Sequence, residues 1–439
     1  MKQTDTKSPW AWIPTVYVAE GVPYCAVNTL TILLYYQLGI SKTQLAFLTG
    51  WLYLPWVIKP FWSPFVDIIG SKRGWTIAMQ ALIGVCFAAI AFFLTTSSFL
   101  ATTLACFWLT AFFSATHDIA ADGYYMLALE PHEQAAFVGV RSTFYRIASV
   151  IGQGGLVLLA ATIDMHTGSP SAAWTTVFGI LSVFFLLLAL FHSRTMPRVA
   201  ADAPRHVGGV ASILKDFAST FVTFFRKPHF LTAVAFILVY RLPEAVCIKM
   251  VQPFLIDPVD AGGLGLSLAQ IGVANGTVGV IALLAGGILG GLAIARSGLS
   301  RWLWPMACAL TLPCMLYCFL AIWQPQSFAL VTAAIAVEQF GYGFGFTAYM
   351  LYLIYFSQGE NSTSHYAFCT AFMALGMMLP GMAAGWVAET LASHFGQTGG
   401  YVAFFWFVML CCLATFAVTA AVRIDPAFGR KKEVAAAEA

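Results

Sequence analysis

Five carboxylates and three cations stand where no water-facing surface explains them. Glu20, Asp118, Asp122, Glu244 and Glu338 fall inside long apolar stretches, as do Arg146, Arg241 and Lys249. Lys59 and Arg141 sit nearer the cytoplasmic ends of such stretches. A charge near the centre of a bilayer costs at least about 2.5–3.5 kcal/mol, so such side chains face a cavity, pair with each other and mark function. Asp118 and Asp122 are four residues apart and stack on one helix face. Two carboxylates that close repel each other, which suits them to carry a proton. Glu20, Glu244 and Glu338 complete the set expected to couple transport to protons. Arg146, Arg241 and Lys249, with Tyr24 and Asn28, are the expected substrate-binding residues, and the cations suit an anionic cargo. Arg241 and Glu244, three apart, can also pair along their helix. Two alternatives stay open: fixed interhelical ion pairs, and a gating role for Asp118 and Asp122 at the cytoplasmic end of their helix.

The elements that position these residues are membrane helices. The chain has 439 residues, 60% hydrophobic and 9% charged, where a soluble domain carries roughly 25% charged residues. Mean hydropathy is +0.80. A helix needs about 20 residues to cross the hydrocarbon layer. Twelve stretches qualify: 12–37, 44–66, 75–95, 99–126, 136–163, 172–193, 229–255, 268–293, 302–322, 326–356, 363–392 and 400–422. The expected fold is all-α and polytopic, with two six-helix bundles. The expected domains are 1–193, a cytoplasmic linker 194–228, a second bundle 229–422 and a tail 423–439. In the linker, Val210, Ile213, Leu214, Phe217, Phe221, Phe224 and Phe225 recur at helical spacing, which predicts a helix lying in the interface. The N-terminal apolar run has no small-residue cleavage site and reads as a retained first helix.

Lysine and arginine orient the array. With the N-terminus inside, the cytoplasmic side holds Lys2, Lys7, Lys72, Arg73, Arg194, Arg198, Arg205, Lys215, Arg226, Lys227, Arg296, Arg301, Arg423, Arg430, Lys431 and Lys432, sixteen of 22 basic residues. The outside holds only Lys42. Both termini are therefore expected in the cytoplasm.

The two halves resemble each other, as transporters built from parallel repeats do. Ser63-Pro-Phe-Val-Asp67-Ile-Ile-Gly70-Ser-Lys72-Arg73 follows the second span, and Gly291-Leu-Ala-Ile-Ala295-Arg296-Ser-Gly298-Leu-Ser-Arg301 follows the eighth. Both resemble the G-x-x-x-D-[RK]-x-G-x-[RK]-[RK] loop of the major facilitator superfamily. The first copy has Ser63 and Ile68 where that pattern has glycine and a basic residue, and the second has Ala295 for the aspartate. Asp67, with Lys72, Arg73, Arg296 and Arg301, is the expected cytoplasmic gate. The glycines permit tight turns. Glu20 near Pro23 and Glu244 beside Pro243 are separated by 224 residues and are expected at equivalent sites. Proline there frees a backbone carbonyl and allows a bend.

A narrower resemblance rests on five segments: Ala19-Glu-Gly-Val-Pro-Tyr24, Lys59-Pro-Phe-Trp-Ser-Pro-Phe-Val-Asp67, Ser114-Ala-Thr-His-Asp118-Ile-Ala-Ala-Asp122, Gly290-Gly-Leu-Ala-Ile-Ala-Arg296, and the stretch 358–389 with Tyr366-Ala-Phe and Ala384-Gly-Trp-Val-Ala-Glu389. Together they resemble the AmpG muropeptide permease and acetyl-CoA transporter branch of that superfamily. The resemblance implies proton-driven import across a bacterial inner membrane of a large, mostly anionic cargo: an anhydro-muropeptide, acetyl-CoA or, in related permeases, a siderophore. Some muropeptide permeases carry two extra helices, for which this chain has no room.

Other function classes fit less well. A membrane-embedded acyltransferase needs a base beside a second polar group. His117 and Asp118 are adjacent and point about 100° apart on a helix, so they make no dyad on one face. A sensor would add a soluble signalling domain. A drug or metabolite efflux pump is the alternative within transporters. The ten cysteines lie in apolar stretches and read as small core residues. No metal or other cofactor is expected, the net charge of +3 does not suggest nucleic acid, and the expected partners are the lipid bilayer, a small-molecule solute and protons, with the protein a monomer.

Overall fold

The computed structural model describes residues 8–40, 48–49, 51–203 and 210–430. Lys2, Lys7, Lys42, Arg205, Lys431 and Lys432 of the topology argument lie outside these residues, as do 44–47 and 50 of the second span and the side chains of Val210, Ile213 and Leu214.

Eleven helices among the described residues are long and apolar enough to cross a membrane. In chain order they are α1 (Pro9–Tyr35), α4 (Lys72–Phe93), α5 (Phe99–Ala128), α6 (Pro131–Thr167), α7 (Pro170–Thr195), α9 (Phe230–Ile256), α10 (Gly272–Ser297), α11 (Leu299–Trp323), α12 (Phe328–Ser357), α13 (Ser362–Gly396) and α14 (Thr398–Ala421). The region expected as the second span differs. There the described chain forms two short helices, α2 (Leu54–Ile58) and α3 (Ser63–Ile68), joined by a 3-10 turn. Pro55, Pro60 and Pro64 explain the interruption, since each removes a backbone donor and crowds the preceding turn. The linker contains α8 (Val210–Phe225). Its Phe217 ring lies 5.1 Å from Phe65 and its Phe221 ring 4.9 Å from Phe368, so part of its apolar face packs on protein.

The chain folds into two compact units whose limits do not follow chain order. Unit 1 holds residues 1–128, 141–223 and 357–371, and unit 2 holds 129–140, 224–356 and 372–439. In unit 1, Phe87, Phe107, Trp174, Phe178 and Phe185 are fully buried and form an aromatic core between α4, α5 and α7. In unit 2, Phe254, Tyr317, Ile335 and Phe405 anchor a second core.

Several spans depart from the regular α ladder. Residues Ala26–Leu30 of α1, Ile151–Leu156 of α6 and Gly272–Gly279 of α10 are π-helical. In α9 the helix breaks at Tyr240 and Arg241, before Pro243. Proline cannot donate to the Val239 carbonyl. The Thr415 hydroxyl on α14 supplies donors instead, 3.4 Å from the Val239 carbonyl and 3.1 Å from that of Tyr240. Gly70 and Gly298, in the two repeat-related loops, both take positive φ, +72° and +86°, where a side chain would be strained.

Glycine sets the approach of helices in unit 2. A methyl group at Gly343 would fall on the Leu283 carbonyl and the Gly287 amide, whereas one at Gly385 meets open space. Gly343→Ala is therefore expected to cost about 1–3 kcal/mol through overpacking, read as a lower midpoint of thermal unfolding in detergent. Gly385→Ala should leave the midpoint unchanged or raise it. Equal midpoints for the two variants would overturn this account of the packing.

Candidate functional site

The charges of unit 1 converge from four places in the chain. Lys59, in the proline-rich turn between α2 and α3, ion-pairs with Asp118 of α5. Arg141 of α6 meets Asp122 of α5 at 2.6 Å. The Tyr17 hydroxyl of α1 donates to Asp122 Oδ1 at 3.0 Å, and Arg141 donates to the Tyr366 hydroxyl of α13 at 3.2 Å. The Arg141 guanidinium lies over the rings of Tyr17 and Tyr125, 4.6 and 5.0 Å from their centroids. A desolvated guanidinium gains from such aromatic faces.

Glu20, one turn along α1 from Tyr17, joins this group beside Asp118 and within reach of the fields of Asp122 and Arg141. Its Oε2 is buried and has no hydrogen-bond partner. The local tally is three carboxyl groups against two cations. One proton would neutralise the set. Beyond Glu20, the Tyr24 ring packs edge-on against Tyr53 and Trp56, at 6.2 and 5.4 Å, and tilts toward Tyr145. Asn28 bonds back to the Tyr24 carbonyl at 2.9 Å. Arg146 is half-buried on α6.

Unit 2 holds a different constellation. Arg241 makes a bidentate contact with Glu244, 2.8 Å from Nε and 2.7 Å from the terminal nitrogen. The same guanidinium donates to the Tyr342 hydroxyl of α12 at 3.1 Å and stacks over Phe346, 4.7 Å from the ring. Glu338 accepts from Tyr317 at 3.2 Å and from Gln339 at 2.8 Å. Lys249 is exposed, with its stem against Gly381.

The separation of 224 residues noted for Glu20 and Glu244 holds across the network. Tyr17 and Arg241 share it, as do Asp118 and Tyr342, and Tyr125 and Tyr349. In unit 1 a tyrosine on the first helix bonds a carboxylate on the fourth span. In unit 2 an arginine in the equivalent place bonds a tyrosine. The repeat has kept the geometry while exchanging the charges.

The expected gate residues separate. Asp67 is buried at the end of α3, and its Oδ2 accepts from the backbone N–H and the hydroxyl of Ser364, at 2.8 and 2.6 Å. It thus caps the first turn of α13, where a carboxylate meets unpaired amides and the positive end of the helix dipole. Lys72 Nζ reaches its other oxygen at 3.2 Å. Arg73 instead donates to the Ser193 and Met196 carbonyls at the end of α7. Asp202 caps α4, accepting from the Lys72 and Arg73 amides at 2.6 and 2.9 Å. Burial pushes the Asp202 carboxyl up, and those two amides and their side-chain charges hold it back. Arg296 and Arg301 are exposed in unit 2. In that loop the Leu299 amide donates to the Phe428 carbonyl of the tail at 3.0 Å.

Sequence reasoning missed Lys59, Arg141, Tyr17 and Tyr366 as members of the site. A lysine inside an apolar run was the available signal for the first, and an arginine at the edge of one for the second. Nothing in the sequence pairs them with a particular aspartate.

Long apolar helices enclosing buried ionic networks define a multi-pass membrane transporter. The chain belongs to the Major Facilitator Superfamily, whose family model matches residues 18–256, more than half of its length. It is 27% identical over 341 residues to the anhydromuropeptide permease of Escherichia coli strain K12, covering 76% of this chain and 65% of that protein. The structure is similar to that of the fucose:proton symporter FucP of Escherichia coli, with a TM-score of 0.67 at 15% identity over 94% of this chain and 98% of the other. It is also similar to the proton:xylose symporter XylE, with a TM-score of 0.57 at 14% identity over 93% and 95% of the two chains. These relatives are transporters, and the chain is a transporter, not an enzyme.

Removing one partner of a buried ion pair typically costs about 3–5 kcal/mol, because the other charge is left uncompensated. Arg141→Met should therefore lower the thermal unfolding midpoint strongly, and adding Asp122→Asn should recover much of the loss. A double variant no more stable than Arg141→Met would show that Asp122 does not depend on Arg141.

Proposed function

We propose that this transporter imports a large anionic solute across a bacterial inner membrane by proton-coupled alternating access, with both termini in the cytoplasm. The observation that carries the proposal is Glu20. It is a carboxyl group whose Oε2 is buried without a partner, beside two carboxylates that already have cations. Its protonation brings the set from one net negative charge to none, which lowers the cost of reorganising it away from water. Asp118 and Asp122 hand the proton on by exchanging their hold on Lys59 and Arg141. Glu244 and Glu338 serve the same end in unit 2.

Arg146, Arg241 and Lys249 attract the negative groups of the cargo, and Tyr24 and Asn28 contact its uncharged parts. The Asp67–Ser364 bonds, with Lys72 beside them, are the cytoplasmic fastening that breaks and reforms in each cycle. One charge moving through 100 mV yields about 2.3 kcal/mol, so one or two protons drive useful accumulation. The resemblance to the anhydromuropeptide permease favours a muropeptide-like cargo over a siderophore or an acyl-CoA. The chain spans 65% of that relative's length.

The test is uptake of labelled anhydro-muropeptide, ferric siderophore and acetyl-CoA into right-side-out and inverted vesicles, with and without a proton gradient. Gradient-dependent entry of one cargo is expected in right-side-out vesicles, falling to background in Glu20→Gln. Entry that persists without a gradient, or in Glu20→Gln, would refute proton coupling through this carboxyl. Gradient-driven accumulation in inverted vesicles alone would make the protein an exporter.

A further inference from the structure

Behind the ionic set, unit 1 contains a second polar chain that the proposed function does not use. The Thr15 hydroxyl of α1 lies 2.8 Å from His192 Nε2 of α7. His192 Nδ1 lies 2.8 Å from Gln80 Oε1 of α4, and Gln80 Nε2 lies 2.9 Å from His117 Nε2 of α5. Gln80, His117 and His192 are completely buried. The chain therefore links four helices, and it reaches α5 one residue before Asp118 and α1 two residues before Tyr17.

The donors and acceptors are fixed by the amide. Its oxygen only accepts and its nitrogen only donates. His192 must therefore present Nδ1–H to Gln80, and His117 must present a bare Nε2 lone pair. A neutral His117 then carries its proton on Nδ1, which has no partner. His192, with Nδ1 protonated, accepts from Thr15 on Nε2. Each imidazole holds one proton. A proton added to His117 would set N–H against N–H across Gln80. The charged neighbours are Asp118 beside His117, and Arg73, whose guanidinium bonds the Ser193 and Met196 carbonyls just past His192. The two histidines also face each other through the amide.

We propose that Gln80 is a positioning residue for the ionic set: through His117 and His192, both held neutral and protonated on Nδ1, it fixes the rotation of α5 and α1 so that Asp118 and Asp122 face Lys59 and Arg141. The effect on transport rests on the proton-coupled reading above, while the state of the histidines does not. Without the amide, α5 loses its only printed side-chain tie to α4 at this level and the carboxylates lose their fixed cations.

Two measurements test this on the full chain in lipid nanodiscs or vesicles. The first is nitrogen NMR of 15N-histidine protein from pH 5.5 to 8, ordinary solution conditions bracketing the usual histidine range of about 6.5. His117 and His192 are expected to stay neutral with Nδ1–H throughout, while the exposed His166, His229 and His394 titrate. In Gln80→Glu, a carboxylate that accepts from both sides, the His117 proton is expected to move to Nε2. Titration of either buried histidine together with the exposed ones, or an unmoved His117 proton in Gln80→Glu, would overturn the assignment. The second is the pH profile of gradient-driven uptake, where Gln80→Leu is expected to shift the midpoint by at least about half a pH unit and Gln80→Glu to restore part of the shift. A folded Gln80→Leu protein with an unmoved profile would reduce the chain to packing and refute the positioning role. If the unmodified protein shows no gradient-driven uptake, the transport reading has failed, and the NMR result alone decides the histidine assignment.

Discussion

Buried charge must be paired, and in this molecule that requirement governs where the helices of each unit meet. A carboxylate shut away from water keeps its charge only against a cation or several donors. Asp118 has Lys59, Asp122 has Arg141 and Tyr17, and Glu244 has both nitrogens of one arginine. Each pairing joins segments distant in the chain, apart from Arg241 and Glu244. The apolar cores hold the helices together without direction. The ion pairs select one rotation and one register for α1, α5 and α6, because only there do the charges meet. Glu20 is the exception in unit 1, and an exception of that kind is where a mobile proton has its largest effect.

The same economy runs through the helix ends. Four amides at the start of each helix lack intrahelical partners. Asp67 satisfies α13, Asp202 satisfies α4, and the Phe428 carbonyl satisfies α11. In the first two cases a carboxylate also meets the positive end of a dipole. Inside α9, where Pro243 breaks the ladder, Thr415 fills the vacancy. These local bonds place the segments that carry the ionic groups. Asp67 in particular belongs to the same sequence stretch as Lys59, so the cap on α13 and the partner of Asp118 are fixed together.

The two units show how a duplicated frame diverges. Positions related by 224 residues keep their places on the helices. Where unit 1 sets Tyr17 against Asp122, unit 2 sets Arg241 against Tyr342. Arg241 carries its own counter-ion one turn away, so unit 2 is neutral locally without a proton at Glu244. Unit 1 depends on cations from α6 and from the turn after α2. A proton therefore matters differently in the two halves of one fold.

By itself the sequence determined the class of structure and most of its spans, because hydrocarbon tolerates only runs of apolar residues whose backbone bonds close within the helix. It also marked Glu20, Asp118, Asp122, Arg241, Glu244 and Glu338, since a charge in such a run is conspicuous wherever it occurs. It marked the Arg241–Glu244 pair, because three residues along a helix is a local distance. It did not show that three prolines would break the second span into short pieces, since an apolar run is counted the same way whether or not its ladder closes. The tertiary structure decided the rest: that Asp118 takes Lys59, that Asp122 takes Arg141, that Arg73 turns to the end of α7 rather than to Asp67, and that Gln80 joins two histidines. Those partners lie far apart in the chain, and the energy that matches them depends on distance and burial in three dimensions, which spacing along a sequence does not contain.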